Sequence, residues 1–379
     1  MIDYTNDVKQ LMEAVDSKWN NFNIMVLGLT GSGKSTLINT VFGKKVASVG
    51  VGKPITKGIV CYKNGSLCLY DTEGVEIDRK QQERIIDEIC VTIRSCSRQG
   101  LENQIHMIWY CVDATGRIQD IELTLLKRVN QCISEAKKDI PIIFIITKPA
   151  LVNEDECNII HKCLYESITP IFPKYKNNIV EVQAIPITVG RGTHKITLDS
   201  YGLDDLDNCV RKLLPETIQD TYDTYQRINL QAKLDKANKI LFTHYATAGT
   251  AIAGGATVLG VDDTWALIGM QLAMFAEIGN IFHFTFDENK IKAALAGSVG
   301  AGVAHAVGKT IFHYALAFAT GGLSLGAEAA VRVAIADSLT VTIGKAYIEL
   351  MKKFATGEMS EDQIALEIES LLKKNGGKK

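Results

Sequence analysis

Excess charge of either sign is scarce in this chain. Its 41 Lys and Arg stand against 43 Asp and Glu, a formal net charge of −2 over 379 residues. That excludes nucleic-acid binding through a generally basic surface and leaves only local basic patches. The nine cysteines all lie between Cys61 and Cys209, and none forms a C-x-x-C pair. An odd number at such spacing indicates neither a disulfide framework nor a zinc site, and reduced thiols in a cytosolic protein are the simplest reading. The opening Met1-Ile2-Asp3-Tyr4 lacks the basic-then-apolar run of a secretory leader and the glycine that N-myristoylation needs. What is abundant is apolar residues, 46% of the chain, which argues against disorder for most of the chain; at this length two globular domains are expected.

Residues 3–18 place Val8, Leu11, Met12 and Val15 at helical spacing, predicting a short amphipathic helix that packs on a domain surface. From Asn23 to Val189, apolar runs (Ile24–Leu27, Ile105–Val112, Ile142–Ile146, Ile179–Ile185) alternate with longer helical patterns. Such alternation predicts a largely parallel sheet covered by helices. Between the first two runs, residues 58–71 hold two short strands about Asn64-Gly65, a tight-hairpin dipeptide, so one edge strand is expected to run antiparallel. After Leu214 the composition changes. Residues 216–243 read as one long polar helix, and the chain to about Phe354 is rich in Ala and Gly, poor in Pro and free of Cys. The expected organisation is an N-terminal helix over residues 1–20, an α/β domain over 21–214 and an all-α domain over 215–379. Ser360 with Gln363 has capping-box spacing ahead of a last helix.

The motif that carries chemistry is Gly28-Leu29-Thr30-Gly31-Ser32-Gly33-Lys34-Ser35-Thr36, after an apolar strand and before a helical pattern. This is a complete Walker A element in its required context, against the bland alternative of a glycine-rich turn. Its glycines let backbone N–H groups turn toward phosphate, and the helix N-terminus favours an anion. Lys34 is expected on the β- and γ-phosphates and Ser35 on a magnesium ion. Asp71-Thr72-Glu73-Gly74 closes the second hairpin strand. Asp71 is expected to reach magnesium through water and Gly74 to offer its N–H to the γ-phosphate; alone, Asp-x-x-Gly is a common turn. Gly52-Lys53-Pro54-Ile55-Thr56 occupies the place of a first switch loop, where Thr56 completes the metal shell.

With these motifs stated, the spacing of Gly28 to Ser35, Thr56 and Asp71 to Gly74 resembles the translation-factor class of GTPases, especially its Era-like and septin-like members. Ile108-Trp109-Tyr110-Cys111-Val112-Asp113 with Arg117, ahead of Thr147-Lys148, is similar to a bacterial subgroup of that class. The resemblance covers about residues 20–214. It implies a P-loop GTPase fold that takes GTP or GDP with Mg2+, with catalytic roles for Lys34, Thr56 and Gly74. Nucleotide contacts then fall to the Walker A residues, to Thr147 and Lys148 beside the base, and to the backbone of Ala184 after the Ile179 strand.

Two departures from the pattern matter. Where the class has Asn/Thr-Lys-x-Asp, this chain has Thr147-Lys148-Pro149-Ala150, so the carboxylate that reads guanine is missing. Where many relatives have a water-orienting Gln after the Asp-x-x-Gly, it has Val75, which implies slow hydrolysis or a residue supplied by a partner.

Two stretches of the second half, Ile240–Val261 and Thr310–Ala327, carry no formal charge apart from His244 and His313 and reach membrane-spanning length. Their Ala, Gly, Thr and Ser suit close helix packing as well, so a compact bundle and membrane association, peripheral or integral, both stand. Leu213-Leu214-Pro215-Glu216, Gln226, Lys233, Gly254-Gly255 to Asp263, Gln271, Met274 and Thr340 to Tyr347 resemble the apolar helical domain fused C-terminally to some Era-like bacterial GTPases. That resemblance implies membrane or partner association and no defined reaction. His244, His283, His305 and His313 lack accompanying ligands at metal-site spacing. The expected function is a GTP-hydrolysing switch acting through its helical domain on a homodimer mate, a protein or a membrane, with no nucleic acid indicated. Its rivals are a nucleotide-binding module with little turnover and an ATP-using P-loop protein such as a kinase.

Overall fold

The computed structural model describes residues 5–43, 53–56, 59–72, 79–100, 102–191, 194–246, 263–284, 290, 311, 315–317, 319–320 and 336–376. The elements, in chain order, are α1 (Thr5–Asp16), β1 (Phe22–Gly28), α2 (Lys34–Phe42), β2 (Lys53–Thr56), β3 (Ile59–Asn64), β4 (Leu67–Thr72), α3 (Arg79–Arg98), β5 (Met107–Asp113), α4 (Asp120–Ala136), β6 (Ile142–Thr147), α5 (Glu154–Ile168), β7 (Ile179–Val182), β8 (Ile187–Arg191), β9 (His194–Leu198), α6 (Leu203–Leu213), α7 (Glu216–Tyr225), α8 (Leu230–Ile240), a π-helical turn (Leu241–Ala246), α9 (Asp263–Ile281), α10 (Ala336–Ala355) and α11 (Glu361–Gly376). They fall into two compact units: residues 20–222 with 226–229, and residues 1–19 with 223–225 and 230–379.

The first unit is built on a seven-stranded sheet in the order β2-β3-β4-β1-β5-β6-β7. β1 runs parallel to both β4 and β5, and β6 parallel to both β5 and β7. β3 runs against β4, as the Asn64-Gly65 turn predicts; Gly65 takes φ 54 there. β2, where the sequence points to a switch loop, pairs outside β3 with a register shift between Pro54 and Thr56. An edge is where a proline without an N–H is tolerated. β1, β5 and β6 are buried along their length apart from Asp113, because helices cover both faces and each strand reads as an apolar run instead of an alternation. β7 ends at Val182, three residues short of the apolar run that pointed to it: Gln183 leaves to bridge Tyr201, exchanging hydrogen bonds of 3.0 and 3.1 Å.

The second unit is helical and packs α1, α8, α9, α10 and α11 around one core. The α1 stripe predicted from spacing is real, and Val8, Leu11 and Val15 are buried in this core beside Phe275, Tyr347 and Met351. The long helix expected over residues 216–243 is interrupted between α7 and α8. Buried Gln226 donates through Nε2 to the Asn229 carbonyl and accepts from the Asn229 N–H through Oε1, at 2.9 and 2.8 Å, closing a side-chain loop that replaces helical bonds. Lys233 and Lys236, also buried, hold the Thr224 carbonyl and hydroxyl at 2.8 and 2.7 Å. Ser360 and Gln363 form the expected reciprocal cap of α11. Among the described residues no helix is long and apolar enough to cross a membrane. Of the two uncharged stretches, residues 247–261 of the first, and most of the second, lie outside the described residues, as do His305 and His313.

Glu277 is the one carboxylate this core encloses among the described residues. It accepts from Lys18 at 2.6 Å and from the Tyr245 hydroxyl at 2.5 Å, with His244 3.6 Å away. Burial alone raises its pKa; His244, Lys18 and Tyr245 together outweigh it and hold the group below its ordinary 4.5. A carboxylate with a depressed folded pKa stabilises above its unfolded value and loses that contribution as pH falls through the folded one. Glu277→Gln is therefore expected to lower unfolding free energy by about 2–4 kcal/mol at pH 7, the cost of breaking a buried pair whose lysine keeps some solvent. Denaturant titrations at several pH values check it: the gap between wild type and variant should narrow below pH 4.5.

Candidate functional site

The site forms where β1 and β4, adjacent and parallel, deliver their C-terminal ends. Val26 pairs with Asp71 and Gly28 with Cys111. Thr72 donates to the Val26 carbonyl at 2.9 Å, fixing the end of β4 beside the loop that leaves β1. Two glycines of that loop are structurally required. Gly28 has φ 143, and a Cβ there would stand 2.4 Å from the Cys111 carbonyl oxygen. Gly33 has φ 82 as the left-handed N-cap of α2, and a Cβ there would crowd Thr147 at 3.3 Å. Only glycine takes such φ freely, and the missing side chains bring β1, β5 and β6 against the loop.

Lys34 opens α2 buried, its Nζ donating to the Gly28 and Leu29 carbonyls at 3.0 and 2.9 Å. Burial lowers its pKa, with Cys111 and Asp71 acting in the opposite sense. Burial likewise raises the Asp71 carboxyl above its usual 3.8, with Lys34 opposing. The two groups are thus electrostatic neighbours brought together from 37 positions apart in sequence. Among the described residues, Asp71 Oδ1 and Ser32 Oγ are buried without a hydrogen-bond partner. An orphaned carboxylate oxygen in a buried setting is costly unless something else satisfies it. Ser35 and Thr36 sit exposed in the first turn of α2, and Thr30 and Gly31 are exposed in the loop. Burial also pushes the Cys111 thiol up to about 12, in keeping with a packing role for this cysteine, and all nine cysteines are free thiols.

The other wall comes from β5 and β6. Thr147 Oγ1 donates to the Ser32 carbonyl at 2.8 Å and lies 3.1 Å from the Val112 carbonyl, tying the loop to the end of the sheet. Lys148, at φ 58, reaches the Gly31 carbonyl at 2.6 Å and Asp113 Oδ2 at 2.5 Å. The other oxygen of Asp113 accepts from the N–H and hydroxyl of Thr115. Burial alone raises the Asp113 carboxyl, but Lys148 and Thr115 outweigh it and hold the group below 3.8. This clamp was the part missed by sequence reading, which had Asp113 as part of a signature only; Asp113-Ala-Thr115, an Asx-turn sequence ending an apolar strand, is the signal that could have found it. Pro149–Leu151 follows as a short 3-10 turn with Pro149 buried, and Ala150, its middle residue, lies two positions beyond Lys148. Ala184 lies two residues past Val182, which pairs with Thr147.

Lys34, Asp71, Gly28, Gly33, Ser32, Thr147 and Lys148 are therefore assembled around one loop. Thr56 ends β2, opposite Ile59, and its side chain lies outside the described residues, as do Gly74 and Val75. Among the described residues no three His, Cys, Asp or Glu side chains gather as a metal set.

Residues 23–148 match the family described as 50S ribosome-binding GTPase. The fold is that of a P-loop GTPase. The chain is 30% identical over 130 residues to GTPase Era of Xanthomonas campestris, covering 33% of this chain and 39% of the relative. It is 27% identical over 165 residues to GTPase Der of Pseudothermotoga lettingae, covering 42% and 35%. The chain thus spans less than half the length of these curated relatives. A crystal structure of a probable GTP-binding protein engB aligns over 52% of this chain and 99% of its own, with 20% identity and a TM-score of 0.35.

Proposed function

We propose that the P-loop GTPase unit binds GTP and GDP with Mg2+ and hydrolyses GTP slowly, acting as a switch whose output runs through the helical unit to a protein partner or a membrane surface. The observation that carries this is that buried Lys34, at the head of α2, is the electrostatic neighbour of half-buried Asp71 at the end of β4, whose Oδ1 is buried with no hydrogen-bond partner among the described residues. Lys34 contacts the β- and γ-phosphates, exchanging its carbonyl partners for phosphate oxygens; the loop from Gly28 to Gly33 supplies N–H groups, Ser35 and Thr36 the exposed first turn of α2. Ser35, Thr56 and, through water, Asp71 would hold a magnesium ion, which when bound would neutralise phosphate charge. Thr147 and Lys148 border the base and the Ala184 N–H meets its oxygen. Gly74 offers its N–H to the γ-phosphate, and without a glutamine at Val75 the attacking water is poorly oriented.

The test is binding of labelled GDP, GTP, ADP and ATP to the full chain, followed by phosphate release over many turnovers. Guanine preference with slow phosphate release supports the reading; equal or adenine-favoured binding overturns the base assignment, and tight binding with no release leaves a nucleotide-dependent interaction module. Chelating magnesium is expected to weaken GTP binding about tenfold or more, roughly 1.4 kcal/mol, and Asp71→Asn to abolish most of that magnesium dependence. Because burial holds Asp71 above 3.8, the magnesium-dependent part of binding should begin to fade on acidification at a higher pH than an exposed aspartate would give. Isothermal titration across pH reads this directly.

A further inference from the structure

Exposed apolar side chains are unevenly placed on the P-loop GTPase unit. Among its described residues, every large exposed hydrophobic side chain except Val91 lies between Leu151 and Tyr201: Leu151, Ile159 (59% exposed), Ile185, Ile196 (64% exposed), Leu198 and Tyr201. This stretch builds the β7 edge of the sheet. β7 is the terminal strand, α5 is the helix that leads into it, and the β8–β9 ribbon leaves from it. Tyr201, at the foot of the ribbon, is electrostatically linked to Glu181 on β7 and to Cys157 on α5, so the three elements adjoin.

The ribbon is amphipathic by register. Ile187 pairs with Leu198 and Val189 with Ile196 on one face; Thr188 pairs with Thr197 on the other, their hydroxyls 3.0 Å apart. Among the described residues it is a separate two-stranded sheet. Two strands alone are marginally stable in water, and an apolar face with open strand edges is a surface that natural proteins cover. The charges beside these apolar groups differ in sign. From Ile187 to Leu198 the sequence holds Arg191, His194 and Lys195 and no Asp or Glu, and Lys195 is exposed. The first turn of α5 is Glu154-Asp155-Glu156, all exposed. Glu156 closes the capping box with Asn153, which leaves Glu154 and Asp155 for other contacts, one turn from exposed Ile159.

We propose that this edge is a self-association surface whose occupant is a second copy of the chain, the basic apolar ribbon of each copy lying on the acidic apolar turn of α5 in the other. A surface that carries both complementary elements is satisfied twice by a two-fold axis, and such an isologous contact closes as a dimer without leading to filaments. The apolar pairs supply the burial, and Lys195 against Glu154 and Asp155 fixes the orientation. The proposal is independent of which nucleotide the P-loop takes.

Sedimentation equilibrium on the full chain tests it at about 50 µM, where an interface of micromolar affinity is filled, with GDP and with a non-hydrolysable GTP analogue. Wild type is expected to be a dimer in at least one nucleotide state. The double change Ile196→Asp with Leu198→Asp should make it a monomer while far-UV dichroism and nucleotide affinity stay unchanged, since both side chains are exposed. Lys195→Glu alone and the pair Glu154→Lys with Asp155→Lys alone should each raise the dimer dissociation constant about tenfold or more, and the chain carrying all three reversals should recover most of the loss. A wild-type monomer in both states, a dimer indifferent to the Ile196 and Leu198 changes, or charge reversals that add without rescue each overturn the proposal.

Discussion

Lys34→Ala is expected to lower GTP and GDP affinity by about two to three orders of magnitude, roughly 3–4 kcal/mol, while leaving the unit folded. The magnitude follows from what the side chain does: truncating one partner of a buried, hydrogen-bonded charge pair costs about 2–5 kcal/mol, much of it from the charge left behind. Lys34 is buried, its ammonium is held by the Gly28 and Leu29 carbonyls, and Asp71 lies close enough to shift its titration. A phosphate approaching the loop without that ammonium meets the Asp71 carboxylate with less positive charge to offset it. In the absence of nucleotide the same change removes a buried charge and deprives two carbonyls of a donor, opposing effects that leave stability within about 1 kcal/mol. Equilibrium binding with labelled nucleotide and a denaturant titration without it, run on the same preparation, separate the two effects. Loss of affinity with unchanged unfolding marks Lys34 as a ligand-binding group; loss of both marks it as part of the scaffold.

The parts of the site legible in the sequence are those whose chemistry is local. The Walker A stretch states its own backbone geometry, because Gly28 and Gly33 sit where φ is positive and the residues around them run strand, loop, helix. The Asn64-Gly65 turn states its hairpin for the same reason. The α1 stripe announces a buried face, yet nothing in 12 residues says which core receives it, since that depends on helices more than 200 positions away. The clamp of Lys148 on Asp113 and the bond from Thr147 to Ser32 join residues 35 and 115 positions apart, and local periodicity carries no record of them. The Gln226–Asn229 interruption was hidden for a different reason. Its residues are polar and helix-compatible, and the break arises because a glutamine side chain, once buried, satisfies two backbone groups better than another helical turn does. β2 was hidden because Pro54 argues against a strand everywhere except at an edge.

Ala150→Asp is expected to tighten guanine nucleotides by about 10- to 100-fold and leave adenine nucleotides unimproved. A carboxylate that accepts hydrogen bonds from a neutral ring contributes about 1.5–3 kcal/mol, and each 1.4 kcal/mol is tenfold in affinity. The structure places this position well for the change. Ala150 is half-buried in a 3-10 turn whose first residue, Pro149, is buried and whose Leu151 N–H bonds the Lys148 carbonyl at 3.0 Å, so a new side chain there stands on rigid backbone beside Lys148. Lys148 is itself fixed by Asp113 and the Gly31 carbonyl, which ties the base side of the site to the phosphate loop. Competition of GDP against ADP, measured for wild type and variant, gives the ratio directly. A gain confined to guanine means the base lies against Ala150 and that the wild-type chain tolerates weaker discrimination at this point. Equal affinities before and after the change mean the base is read elsewhere, with the backbone beyond Val182, where Ala184 lies, as the next element to vary.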